Sequence, residues 1–144
     1  MRIRLALLLC LIGILFPAVW LKQFSSSYER AFKAIFDAEW THVAAHLALF
    51  ATLAILLSAA FRSSAHRRTV PGILLTILLV GSLQEGLQFI SQGVMPLRPL
   101  AFGGPVFDLG IDLAGGMAGL GIFYPLRLRI NQYGKSIGSD RRLE

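Results

Sequence analysis

Four long apolar stretches, separated by polar and charged segments, dominate the pattern of hydrophobic and polar positions along the chain. Each stretch has about the 20 residues that a helix needs to cross the hydrocarbon core of a bilayer. They lie at residues 3–21, 42–61, 70–90 and 105–126. The pattern predicts an all-α fold, namely a bundle of four transmembrane helices.

The first apolar stretch has a second interpretation. Arg2 and Arg4 precede it, and basic residues before an apolar run are typical of a secretory signal peptide. No small-x-small cleavage motif follows, and Pro17, Trp20 and Leu21 lengthen the run. We therefore expect a helix that is retained in the membrane.

An aromatic residue recurs at every fourth position between the first and second predicted spans. Ser26 and Glu29 have the spacing of a capping box at a helix start. We expect a short amphipathic helix in the outer membrane interface, with its rings at headgroup depth. Packing over the bundle, or a platform for a lipid or a partner, are the alternatives. The aromatic series is Phe24, Tyr28, Phe32, Phe36 and Trp40.

The composition supports a membrane protein over a soluble one. Hydrophobic residues make up 55% of the chain and charged residues only 15%, whereas soluble proteins carry roughly 25% charged residues. A disulfide framework is excluded because the chain has one cysteine, Cys10.

The basic residues indicate the orientation. Of the 14 Lys and Arg residues, four fall within 22–41 and 91–104, and the other ten fall within 62–69 or at the two ends of the chain. The positive-inside rule therefore predicts that both termini are cytoplasmic. The net charge of +6 follows mainly from this bias, so we expect no nucleic-acid partner. We expect a membrane domain at 1–126 and a polar cytoplasmic tail at 127–144, in a bacterial inner membrane.

Three acidic residues fall inside predicted spans: Glu85, Asp108 and Asp112. A carboxyl group in hydrocarbon is costly, so each should face the bundle interior and have a partner. Asp108 and Asp112 share one helical stripe with Gly115 and Gly119, at the spacing i, i+4, i+7, i+11. Glycines on a stripe allow a neighbouring backbone to approach closely. The acids should therefore lie on the packed face of the last span.

The polar side chains of the spans share one depth. At about 1.5 Å per residue, they lie within about 10 Å of the outer ends of their helices. Arg98 falls in the outer loop above them. This common depth predicts a polar pocket that opens to the periplasmic side. Its candidate ligand-binding residues are His46, Glu85, Gln88, Arg98, Asp108 and Asp112.

Three other roles are open to these polar residues. They could form a polar knot that only holds the helices in register, or an acid/base pair that acts on a lipid headgroup. His42 and His46 also have the i, i+4 spacing of metal ligands, but on this spacing alone we expect neither a metal nor another cofactor. The sequence contains no nucleophile elbow, P-loop or H-E-x-x-H motif, so it assigns no catalytic residue.

In their order, the motifs of the last three spans resemble the VanZ-like family of small bacterial membrane proteins. His42-Val43 stands where that family has an Asp-Lys pair, and Asp112 stands where it has asparagine. The motifs are His46-x-x-x-Phe50, Glu85-x-x-Gln88, Pro96-x-Arg98 and Asp108-x-x-x-Asp112-x-x-Gly115-x-x-x-Gly119.

The resemblance implies a role at the cell envelope, since the family takes its name from resistance to teicoplanin-type glycopeptides. The expected partners are membrane lipids and a lipid-linked or cell-wall-related ligand, or a lipoglycopeptide. The main alternative is a small accessory subunit of a larger membrane complex, or a homo-oligomer, in which the buried acids only lock the helices together. A transporter is disfavoured because the polar residues stop halfway across the membrane.

Overall fold

The computed structural model of the protein describes residues 2–16, 25–36, 38–61, 66–92 and 104–140. The described residues are almost entirely helical, which confirms the predicted all-α class. In chain order the helices are α1 (Arg2–Leu15), α2 (Ser26–Phe36), α3 (Glu39–Ala60), α4 (His66–Gln92) and α5 (Pro105–Asp140).

Three of these helices contain a segment long and apolar enough to cross a membrane: Trp40–Ala60, Thr69–Ile90 and Pro105–Arg127. Their bounds lie within two residues of the predicted spans at 42–61, 70–90 and 105–126. The agreement is close because charged residues or glycine and proline flank each apolar run.

The first predicted span, 3–21, is helical over the 14 residues of α1. At 1.5 Å per residue this helix is about 21 Å long, shorter than the roughly 30 Å of a bilayer core. Residues 17–24 lie outside the described residues, so a fourth span stays a prediction.

The start of α1 lies beside the end of α3, where Arg2, Arg4 and Ala60 line an open cleft.

Helix α3 lies at the centre of the bundle, in contact with all four other helices. Its largest interface is with α5. The apolar core around it consists of the buried side chains of Ile14, Phe50, Leu53, Ala54, Ile73, Ile77 and Leu120.

The outer surface of the bundle is also apolar. Leu75, Leu79 and Leu83 form an exposed row on α4, and only 17% of the apolar window of that helix is buried inside the fold. A protein in water rarely leaves such a continuous apolar surface uncovered. The surface is the one expected of a helix that faces lipid.

Helices α3 and α5 run parallel with their backbones in close contact. A Cβ atom at Gly115 would lie 2.7 Å from the carbonyl oxygen of Leu47, and one at Gly119 would meet the carbonyl oxygen of Ala51. The residue numbers of both helices rise together along the interface. The prediction that the glycine stripe is a packed face is therefore confirmed.

Helix α4 crosses α5 in the opposite direction. A Cβ atom at Gly81 would lie 2.6 Å from Oδ2 of Asp112, and one at Gly116 would meet Cδ1 of Ile77. Higher numbers on α4 therefore pair with lower numbers on α5. Glu85, one turn beyond Gly81, falls at the level of Asp108, one turn before Asp112.

The amphipathic helix between the first two predicted spans is present as α2, but its start differs from the prediction. The backbone N–H of Tyr28 donates to Oγ of Ser25 at 3.3 Å. Ser25 therefore caps the helix, and Ser26 is its first residue. Glu29, expected to complete a capping box with Ser26, instead forms an ion pair with Lys33 at 2.7 Å.

The predicted aromatic series divides between elements. Tyr28 and Phe32 lie on α2 with their ring centroids 6.0 Å apart, whereas Trp40 lies at the start of α3. Phe24 is outside the described residues.

At the other end of the chain, α5 continues to Asp140, so the predicted boundary at 126/127 falls within a helix.

Candidate functional site

A buried histidine and a buried aspartate meet at the interface of α3 and α5. His46 Nδ1 lies 2.7 Å from Asp112 Oδ1, and the Asp112 side chain has no exposed surface. In the tautomer that carries a proton on Nδ1, His46 donates this hydrogen bond to the carboxyl group. Asp112 therefore has the partner that an intramembrane acid requires.

A second pair lies one helical turn nearer the starts of both helices. His42 Nε2 lies 3.4 Å from Asp108 Oδ2. Asp108 is buried, whereas 38% of the His42 side chain is exposed. The rings of His42 and His46 are 4.5 Å apart. We call these four residues the His–Asp cluster, and His42 is its exposed side.

The register of the two helices produces both pairs. Each histidine pairs with the aspartate 66 positions later, because both helices repeat their polar side chains every four residues. Gly115 and Gly119 hold the two backbones close enough for these short side chains to meet. On the other side of the His46 ring, Phe50 stacks with a centroid distance of 6.3 Å.

Glu85 brings a third carboxyl group to the cluster from α4. It interacts electrostatically with Asp108, His46, Asp112 and His42. Its Oε1 atom is buried and accepts no hydrogen bond from the part of the chain that the structure describes. The same is true of Asp112 Oδ2, which faces Gly81. Two buried carboxyl oxygens thus have unused acceptor capacity.

Four of the six predicted site residues are brought together: His46, Glu85, Asp108 and Asp112. Gln88 lies half-buried on α4, three residues beyond Glu85. Arg98 lies within residues 93–103, outside the described residues, so its place above the pocket stays a prediction.

His42 belongs to the cluster but was not among the predicted ligand-binding residues. The signal was present in the sequence, since His42 precedes His46 by four positions and so shares its helix face. A single histidine near a helix start gives no indication of its partner. That partner, Asp108, became apparent only from the parallel register of α3 and α5.

The cluster can accept hydrogen bonds, hold a cation or exchange protons between carboxyl and imidazole groups. Together with Glu85 it has three carboxyl groups and two histidines. In the described ranges, the ion-pair partners of the two aspartates are those histidines. His42, His46 and Asp108 each offer one ligand atom within 4.8 Å of the others, an arrangement that could hold a metal ion.

Neither a known protein family, nor a curated protein, nor a solved structure matches this chain. The resemblance to the VanZ-like family therefore stays a prediction that rests on the quoted motifs.

Proposed function

We propose that this protein is a four-span protein of the bacterial inner membrane, with both termini cytoplasmic, that acts at the cell envelope. In this proposal the His–Asp cluster and Glu85 bind the polar headgroup of a lipid-linked or cell-wall-related ligand, or of a lipoglycopeptide. The motifs that resemble the VanZ-like family support the same assignment, because four of their polar residues meet at one place.

The observation that carries the proposal is the unused acceptor capacity of the cluster. Oε1 of Glu85 and Oδ2 of Asp112 are buried without a hydrogen-bond partner in the described part of the chain. Buried polar groups that only lock helices together are generally paired, since an unpaired one costs about 1–3 kcal/mol. Hydroxyl or ammonium groups of a headgroup would supply the missing donors through charge-assisted hydrogen bonds.

The position of the cluster supports access from the periplasm. It lies near the starts of α3 and α5, the ends that the distribution of basic residues assigns to the outer face. His42 is the exposed member of the cluster. A headgroup would enter beside His42 while its acyl or isoprenoid chain lies against the apolar outer surface of the spans.

The exposed leucine row on α4 favours one other candidate function, that of a small subunit of a larger membrane complex. Leu75, Leu79 and Leu83 would then contact another protein instead of lipid. In that case the protein should co-purify with a stoichiometric partner.

Native mass spectrometry on protein extracted with its own lipids tests the proposal. We expect a retained lipid-linked species on the wild type and its loss from Glu85→Gln. Glu29→Gln is the matched control, because it makes the same change at the partly exposed Glu29 of α2, outside the cluster. Equal retention by both variants, or a wild type that carries only a protein partner, would overturn the proposal.

Cellular function gives a second readout. Strains that carry Asp108→Asn or Glu85→Gln should lose the envelope or lipoglycopeptide-tolerance phenotype while the protein still accumulates in the membrane. Wild-type behaviour of both strains, at wild-type protein levels, would falsify the functional assignment and leave the acids as structural locks.

A further inference from the structure

We propose that His42, His46 and Asp108 form a binding site for one divalent transition-metal ion, with Zn²⁺ as the best match. The metal site shares His42, His46 and Asp108 with the proposed headgroup site, but it requires no organic ligand. Two observations support it independently: the mutual distances of the ligand atoms, and the hydrogen bond that orients His46.

The distances suit ligands of one small ion. Zn–N and Zn–O bonds of about 2.0–2.1 Å in a tetrahedral arrangement place two ligand atoms roughly 3.3 Å apart. His42 Nε2 and Asp108 Oδ2 are 3.4 Å apart. The three ligand atoms lie within 4.8 Å of one another, so a shift of at most about 1.5 Å brings them to the tetrahedral separation.

Asp112 orients His46 as a ligand. A histidine that binds a metal ion through one ring nitrogen usually donates its other N–H to a carboxylate or a carbonyl group. The Nδ1 atom of His46 is engaged by Asp112 at 2.7 Å, which leaves Nε2 for the ion. Phe50 stacks on the same ring.

The charge of the cluster favours a divalent cation. Glu85, Asp108 and Asp112 contribute three carboxyl groups, and the ion-pair partners of the two aspartates among the described residues are neutral or singly charged histidines. Imidazole nitrogen with carboxylate oxygen suits zinc and its neighbours in the first transition row, whereas magnesium and calcium prefer oxygen ligands alone. Three protein ligands also leave a fourth position for water.

Calorimetric titration of Zn²⁺ into purified, chelator-treated protein without a polyhistidine tag tests the proposal. We expect one Zn²⁺ per chain with micromolar or tighter affinity, and no binding of Mg²⁺ or Ca²⁺. His42→Gln and Asp108→Asn should each weaken Zn²⁺ binding by roughly 100-fold or more, since even the loss of an orienting partner costs about 10–100-fold. Asp112→Asn should fall in that smaller range.

His66→Gln is the matched control. His66 lies at the first residue of α4, the end of that helix far from Glu85, and its removal should leave Zn²⁺ affinity unchanged. Co²⁺ added in place of Zn²⁺ should give the visible absorption of tetrahedral nitrogen and oxygen coordination, lost in His42→Gln. Circular dichroism checks that each variant retains its helices.

Each contrary result has a defined meaning. A wild type that does not bind Zn²⁺, equal affinities for wild type, His42→Gln and Asp108→Asn, or a loss confined to His66→Gln would overturn the metal site. Lipid retention measured with and without chelator separates this proposal from the proposed function, because headgroup binding can persist after Zn²⁺ binding is shown to fail, and the reverse.

Discussion

Gly115 of α5 lies against the backbone of Leu47 of α3, immediately beside the pair formed by His46 and Asp112. The contact brings the two helix axes close because glycine has no side chain that would hold the backbone of α5 away from that of α3. At a larger separation the short aspartate side chain would not reach the imidazole ring at 2.7 Å. Close helix packing and the chemistry of the cluster are therefore one structural feature.

Gly115→Ala should destabilise the fold. A Cβ atom at this position would lie 2.7 Å from the Leu47 carbonyl oxygen, so the helices must separate, at a cost of about 1–3 kcal/mol for an overpacked core. Thermal unfolding in detergent should show a lower Tm. Gly121→Ala on the same helix is the control, because no atom of the described residues lies within 4 Å of its added Cβ and alanine gains about 0.5–1 kcal/mol over glycine in a helix. Equal Tm shifts in the two variants would contradict the backbone contact.

Two substitutions at Asp112 should differ in their effect on stability. Asp112→Ala leaves the buried His46 ring without its partner, which should cost about 1–3 kcal/mol. Asp112→Asn keeps a carbonyl oxygen that accepts the same N–H, so we expect most of the stability to remain. Chemical or thermal unfolding of both variants measures the difference. A Tm for Asp112→Ala equal to that of the wild type would show that the pair adds nothing to the fold.

Both termini should be cytoplasmic, because ten of the fourteen basic residues lie on that side of the predicted spans. A reporter that is active only in the periplasm should be silent when fused after Glu144 and active when fused near Ser91. The reversed activities would place the His–Asp cluster on the cytoplasmic side.

Trp40 should lie at the level of the outer headgroups. It is the first residue of the apolar segment of α3, and 70% of its surface is exposed. An amphipathic indole ring prefers the interface. In a Trp20→Phe background, brominated lipids should quench Trp40 most strongly when the bromines are near the headgroups. Strongest quenching by bromines at the bilayer centre would refute this depth.

The three helices that are long and apolar enough to cross a membrane could be predicted from the sequence almost to the residue. The packed face of the last of them was also predicted correctly. The residues that flank an apolar run set its length, and this length does not depend on the rest of the fold. The i, i+4, i+7, i+11 spacing of Asp108, Asp112, Gly115 and Gly119 likewise selects one face of any helix. Asp108 and Asp112 are buried as this spacing requires.

The partners of that face could not be predicted. A stripe shows that a helix packs, but it does not show which neighbour the helix packs against. The pairing of His42 with Asp108, 66 positions later in the sequence, depends on the parallel approach of α3 and α5. The cap of α2 was assigned to the wrong residue for a local reason. Ser25, Ser26 and Ser27 are consecutive and chemically equivalent, and the spacing to Glu29 favoured Ser26. In the fold Glu29 pairs with Lys33 instead, and Ser25 accepts the N–H of Tyr28.

The order of the cluster residues along the chain has a consequence for biogenesis. A chain is synthesised from its N-terminus, so in the proposed topology His42 and His46 enter the membrane before Glu85, and the two aspartates enter last. A histidine can lie in the membrane without a partner at low cost, since imidazole is readily neutral near physiological pH. A lone carboxylate in hydrocarbon is costly. Each acid therefore enters a bilayer where a base already resides. Had α5 preceded α3, the aspartates would have crossed the translocation machinery with no partner in place.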